Sequence, residues 1–392
     1  MAVKSLGARD HRIDILRGLA LISIFINHVP GNVLEPMTHK NFGLSDSAET
    51  FVLLAGIAAA FAYFPRFAQG ARLLSMAKVV KRAGTLYVAH LASIVVGLGI
   101  MSFGAVRLGA PDLLETINIA PLLAEPAKGL IGLATMTHQI GYHNILPMYV
   151  CLLLFLPVLM WLASRSLGLM LATSVVIYFA TNVYGWNVPN YPTEGGWFFN
   201  PFAWQILFAI GFFVGARVLA GQTPVPYSRP LFWVAVAYLI GAGLYHRYNL
   251  YGLIPEVPLL PHNIQINEKP WVALGRLTHV LSLAYVVGHS PLMGWLRSVS
   301  TANPLALIGR HALVVFWVGT ALSMTGQVVM RVFAPSVTAQ VGLLAAGILI
   351  QVAIAWGLDW AVRAEKSHRT GMAAPAPADP VREVAPTTAP AL

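Results

Sequence analysis

The chain has 392 residues, of which 57% are apolar and only 10% are Asp, Glu, Lys or Arg. Soluble domains carry roughly 25% of those four, so a water-soluble globule is excluded and a bilayer is the expected surrounding. One cysteine, Cys151, rules out a disulfide framework and any zinc or iron–sulfur centre built on several thiolates. The formal charge of +10 raises the question of a nucleic-acid partner, and the distribution of the basic residues along the chain argues against one.

A helix crossing the hydrocarbon needs about 20 mostly apolar residues. Such runs fall near 13–33, 48–64, 83–105, 145–164, 167–185, 201–220, 230–247, 272–289, 304–325 and 338–360, which predicts an all-α polytopic membrane protein of about ten transmembrane helices. Lys4, Arg9 and Arg12 precede the first run as they would in a signal peptide. That run is too long for an h-region, contains Arg17 and His28 and lacks a small-residue cleavage site, so it reads as a retained helix. With a cytoplasmic N-terminus, the inner segments hold sixteen Lys and Arg against six outside, a positive-inside bias that also puts the C-terminus in the cytoplasm. Arg17, Arg276 and Arg310 are left within or at the edge of helices and need reasons of their own. Three outer segments, 34–47, 106–144 and 248–271, have the length and the Pro, Asn and aromatic content of functional loops. Residues 1–362 read as one membrane domain, and 363–392 as a cytoplasmic tail, basic at first and then, from about 371, rich in Ala and Pro and expected to be disordered.

Arg17 and His28 lie eleven residues apart. At about 100° per residue they share one face of the first helix, roughly 16 Å apart along its axis. Arg17 can snorkel to lipid phosphate and His28 can simply close the helix end. Ionisable groups inside a membrane tend instead to face a protein interior or a wet cavity. A guanidinium suits a phosphate, and an imidazole can take a hydroxyl proton. Such a stripe fits a two-ended thioester donor such as acyl-CoA.

The Arg-x10-His arrangement that opens with Arg17-Gly18 resembles the signature of the large superfamily of membrane acyltransferases called type 3. More narrowly, the chain resembles the OpgC family, bacterial inner-membrane proteins that succinylate osmoregulated periplasmic glucans. The resemblance is carried by RIDILRG (12–18), NHVPGN (27–32), NFGLSDSAETFV (41–52), LPMY (146–149), NPFAWQILF (200–208), RLTH (276–279) and GRHAL (309–313), and covers nearly all of the chain before the tail. One departure is Ala55-Gly56 on the second helix, where the superfamily leads us to expect Ser-Gly.

The resemblance implies an O-acyltransferase that takes succinyl from succinyl-CoA, a donor substrate rather than a bound cofactor, to a hydroxyl of a periplasmic glucan. Its partners would be the acyl-CoA, the glucan and membrane lipid, with no nucleic acid and no metal. His28 would act as general base and Arg17 would bind the CoA phosphates. Asp46 and Glu49 have the spacing of a helix cap with a carboxylate at its third position; alternatively one of them holds the His28 imidazole, with Asp46 favoured as cap and Glu49 as catalytic partner. Arg276, one turn before His279, either anchors its helix among head groups or binds the acyl carboxylate. Arg310 either binds a CoA phosphate or pairs with Asp359. Asn200, Trp204 and Gln205 enter the sixth span from outside; Trp204 is first an interfacial belt residue, and the three together can also meet sugar rings. His138, His143 and His262 lack partners at metal-site spacing. Four alternatives stay open: a covalent acyl-histidine route, the same fold moving acetyl to another glycan, an exporter of a glucan or lipid-linked sugar lined by the same residues, and a membrane scaffold for a glucan synthase.

Overall fold

Every apolar run becomes helical in the computed structural model, which describes residues 9–253 and 256–372. In chain order the helices are α1 (His11–Asn27), α2 (Ser47–Ala68), α3 (Arg72–Arg107), three short ones, α4 (Asp112–Thr116), α5 (Ala120–Ala124) and α6 (Pro126–Ala134), then α7 (Ile145–Arg165), α8 (Leu167–Tyr184), α9 (Pro201–Leu219) and α10 (Arg229–Arg247). A short α11 (His262–Gln265) precedes α12 (Leu274–Gly288), α13 (Pro291–Ser298), α14 (Pro304–Arg310), α15 (Ala312–Phe333) and α16 (Val337–Met372). Among the described residues there is no strand, only an isolated bridge between Pro189 and Gly196.

Seven of these helices are long and apolar enough to cross a membrane: α2, α3, α7, α8, α9, α15 and the Val337–Glu365 part of α16. The remaining runs give helices that are shorter or more polar. α1 has 17 residues and carries Arg12, Asp14 and Arg17, α10 is closed at both ends by arginine, and α12 has 15 residues. The run at 304–325, expected as one span, is two helices. His311 leaves helical geometry at φ −102° and ψ 31°, and α14 lies backbone to backbone against α1. A Cβ at Gly309 would stand 1.8 Å from the Asp14 carbonyl oxygen, and one at Gly18 2.1 Å from that of Leu305.

α3 and α16 each have 36 residues, about 54 Å of helix against a hydrocarbon core of about 30 Å. Lys78, Lys81 and Arg82, whose charges close the expected span near residue 83, lie inside α3. A solvated helix continues through charges that a bilayer would reject. Likewise α16 runs to Met372, through the basic start of the expected tail. Lys4 and the rest of the tail, residues 373–392, fall outside the described residues.

The centre of the bundle is the crossing of α2 and α9, where glycine lets the two backbones touch. A Cβ at Gly56 would meet the Phe208 carbonyl oxygen at 2.1 Å, and one at Gly211 that of Leu53 at 2.0 Å. Small residues at such crossings are the usual means of close helix packing in membranes. Trp204, Phe208 and Phe212 of α9 are fully buried around it. Each helix also starts on a side-chain cap. Asp46 accepts the Ala48 N–H at 2.8 Å and Glu49 returns the favour to the Asp46 N–H at 2.9 Å, while Asn200 accepts the Phe202 N–H at 3.1 Å ahead of Pro201. With both starts fixed, the first turn of α2 lies beside the end of α1, and a cavity opens between them.

Candidate active site

His28 follows the last residue of α1. Its N–H bonds back to the Ile24 carbonyl at 3.0 Å, and its own carbonyl accepts from Gln327 of α15 at 2.7 Å. The backbone is thereby held at both ends. The half-buried ring stacks on Tyr142, centroids 4.2 Å apart and planes within 15°, an aromatic contact worth about 1 kcal/mol beyond area burial. Histidine and tyrosine together line a cavity of about 440 Å³ whose polar wall includes Asn27, Lys40, Asp46, Asn144, Lys269 and Gln327. Among the described residues no carboxylate hydrogen-bonds the His28 ring.

Glu49, expected to hold that ring, is engaged elsewhere. Its Oε1 accepts from Arg276 Nε at 2.7 Å and lies in an ion pair 2.7 Å from Nη2, and its Oε2 takes the Asp46 N–H. Arg276 also reaches Asp46 Oδ2 at 3.5 Å, and that same oxygen accepts from Lys269 Nζ at 2.5 Å. Four charges of alternating sign thus close a neutral network behind the cavity. Burial pushes the Asp46 carboxyl up, but Lys269, Arg276 and the N–H of Ala48 outweigh it and hold the group well below the usual carboxylate range. Arg276, expected on the acyl carboxylate, is buried and is not in the cavity wall; Asp46 and Lys269 are. His279 is buried one turn further on, with Nδ1 on the Ser45 hydroxyl at 2.7 Å and Nε2 packed over Gly43, where a Cβ would lie 2.0 Å away. It is also outside the cavity wall.

Arg17 faces a second cavity of about 190 Å³, walled by Ala55, Ala59, Tyr63, Arg82 and Tyr149 among others. Its guanidinium lies over the Phe51 ring at 5.4 Å, its Nε has no hydrogen-bond partner, and among the described residues it forms no ion pair. The side chain points into the bundle rather than out to lipid. Ala55, the departure from the expected Ser-Gly pair, looks into this same space. Ile145 and Phe316 line both cavities, so the His28 space and the Arg17 space adjoin at these two apolar side chains.

The other expected contacts are turned into the bundle. Trp204, read as a belt residue, is wholly buried, edge-on to Phe199, and donates its indole N–H to the Lys269 carbonyl at 3.1 Å. Gln205 is tied twice to Ser174 of α8, at 2.6 and 2.9 Å, and Asn200 donates to the Trp186 carbonyl at 2.7 Å while capping α9. None of the three lines either cavity. Arg310 pairs with Asp359, which also receives Arg363 at 3.1 Å, and donates to the Thr301 carbonyl at 2.9 Å, away from both cavities. Tyr142, Lys40, Arg82 and Tyr149 enter the site without having been singled out in the sequence. All four are brought in by contacts between helices and loops far apart in the chain; Tyr149 closes the LPMY stretch, and no local pattern marks the other three.

The chain is an all-helical membrane bundle with a histidine in a polar cavity and an arginine that, among the described residues, has no ion-pair partner in an adjoining one, and the family that it matches points to the membrane acyltransferases acting on glucans. Residues 9–363 match the family described as OpgC protein, and the chain belongs to that family. No curated protein and no solved structure matches it.

Proposed function

We propose that the protein is an O-acyltransferase of the bacterial inner membrane that moves succinyl from cytoplasmic succinyl-CoA to hydroxyl groups of periplasmic glucans. The observation that carries this reading is the continuity of α1. One helix presents to one cavity an arginine that has no ion pair among the described residues, and its C-terminal end presents a histidine to the next; Ile145 and Phe316 line both cavities. The positive-inside bias supports cytoplasmic termini and puts the Arg17 end of α1 on the cytoplasmic side.

On this reading Arg17 and Arg82 receive the CoA phosphates, for which guanidinium is well suited. The thioester passes the boundary at Phe316 and reaches the His28 cavity, where the glucan hydroxyl enters from the opposite side. His28 removes the hydroxyl proton as the oxygen attacks the thioester carbonyl carbon. The C–S bond then breaks, and the imidazolium returns the proton to the CoA thiolate, leaving an ester and a free thiol. Tyr142 fixes the plane of the imidazole by stacking, the orienting work that a carboxylate does in many bases of this kind. Holding both reactants beside the base supplies much of the acceleration.

General base catalysis contributes about 10²–10⁴-fold, so His28→Ala is expected to lower succinylation by that factor while the protein remains folded in the membrane. Mass spectrometry of periplasmic glucans from cells producing either form measures it. Full succinylation by the variant contradicts the assignment. Passage of glucan across proteoliposomes without ester formation would make the protein a transporter.

A further inference from the structure

The His28 cavity has two cations in its wall, Lys40 and Lys269, and neither belongs to the residues expected to read the acyl group. They differ in how firmly they are held. Lys40 pairs with Glu35, and about a third of its side chain stays open to solvent. Lys269 is fixed at three points. Its carbonyl takes the indole N–H of the buried Trp204, its ammonium lies over Phe199 and Phe198 at 5.3 and 5.8 Å, and its Nζ donates to Asp46 at 2.5 Å. An ammonium has three donors. The bond to Asp46 uses one, which leaves two for an anion arriving from the cavity. Arg276 does not line the cavity, and its Nε and Nη2 are turned to Glu49 and Asp46.

We propose that Lys269 is the specificity-determining residue for the acyl group, binding the distal carboxylate of a short dicarboxylic acyl thioester while its carbonyl carbon lies beside His28. This rests on the acyltransferase reading above and deepens it. The assignment moves the carboxylate contact from Arg276 to a lysine whose backbone and stem are already in place, so little ordering is left to do on binding. Trp204 and Phe199 become positioning residues for that lysine. The group-transfer step is unchanged, because the lysine neither gives nor takes a proton.

A charge-assisted hydrogen bond is worth about ten- to a hundredfold in affinity. The test compares succinyl-CoA with butyryl-CoA, which has a methyl group where succinyl has its carboxylate, using purified protein and glucan. Wild-type protein is expected to prefer succinyl, and Lys269→Met to lower the ratio of succinyl to butyryl kcat/KM by about tenfold or more. Lys269→Arg keeps the charge and is expected to retain the preference. The double variant Lys269→Met with Asp46→Asn keeps a capping side chain and leaves no unpaired carboxylate, so it reports the ratio even if the single variant folds poorly. An unchanged ratio in the methionine variants, or a wild-type protein that uses both donors equally, overturns the assignment and leaves acyl transfer standing. A wild-type protein that transfers neither group removes the acyltransferase reading and this inference with it.

Discussion

Glu49 and Arg276 are the residues whose roles change most between sequence and structure. A carboxylate three residues into a helix is legible as part of a cap, and it does serve one. Its second partner is not legible, because 227 positions separate Glu49 from Arg276 and no short-range pattern announces the pair. Trp204 and Gln205 show the same limit. Their place at the start of a span can be read from the sequence, whereas the face that packs against neighbours is decided by helices elsewhere in the chain. Breaking a buried ion pair from one side strands the other charge and costs about 3–5 kcal/mol. Glu49→Gln is therefore expected to lower the unfolding temperature in detergent and the folded yield together, with Asp46 at 3.5 Å softening the loss. A variant that melts like wild type yet loses transfer would return Glu49 to the chemistry beside His28.

Between helices, backbone contact at glycine decides the architecture. Gly56 and Gly211 fit α2 against α9, and Gly18 and Gly309 fit α1 against α14. The α9 sequence carries the trace of this in Gly211-Phe-Phe-Val-Gly215, the small-xxx-small spacing of close membrane crossings, although the partner helix cannot be read from it. Overpacking a core costs about 1–3 kcal/mol, and at Gly56 the obstacle is a backbone carbonyl that cannot rotate away. Gly56→Val is expected to reach the upper end of that range and to lower thermal stability in detergent. Unaltered melting would mean that the two helices can part without loss, and that the crossing is not what sets the first turn of α2 beside His28. Helix existence was well marked by the apolar runs. Helix ends were not, since charge ends an apolar run at residue 83 of α3 and 360 of α16 without ending the helix.

Over the whole molecule, the eleven-residue spacing of Arg17 and His28 was enough to put both on one face, and each side chain lines a cavity. The spacing could not show that these are two adjoining spaces with Ile145 and Phe316 in both walls, because those residues come from α7 and α15. A donor loaded at one end and an acceptor entering at the other must meet across that boundary, which is the central claim. It is tested most directly in proteoliposomes with the protein in one orientation, succinyl-CoA on the side of Arg17 and glucan on the side of His28. Succinylated glucan is expected to accumulate on the glucan side, with free CoA thiol on the donor side, and neither is expected to form with His28→Ala. Ester that forms only when donor and glucan share a compartment, or that persists in the His28→Ala protein, would contradict the account.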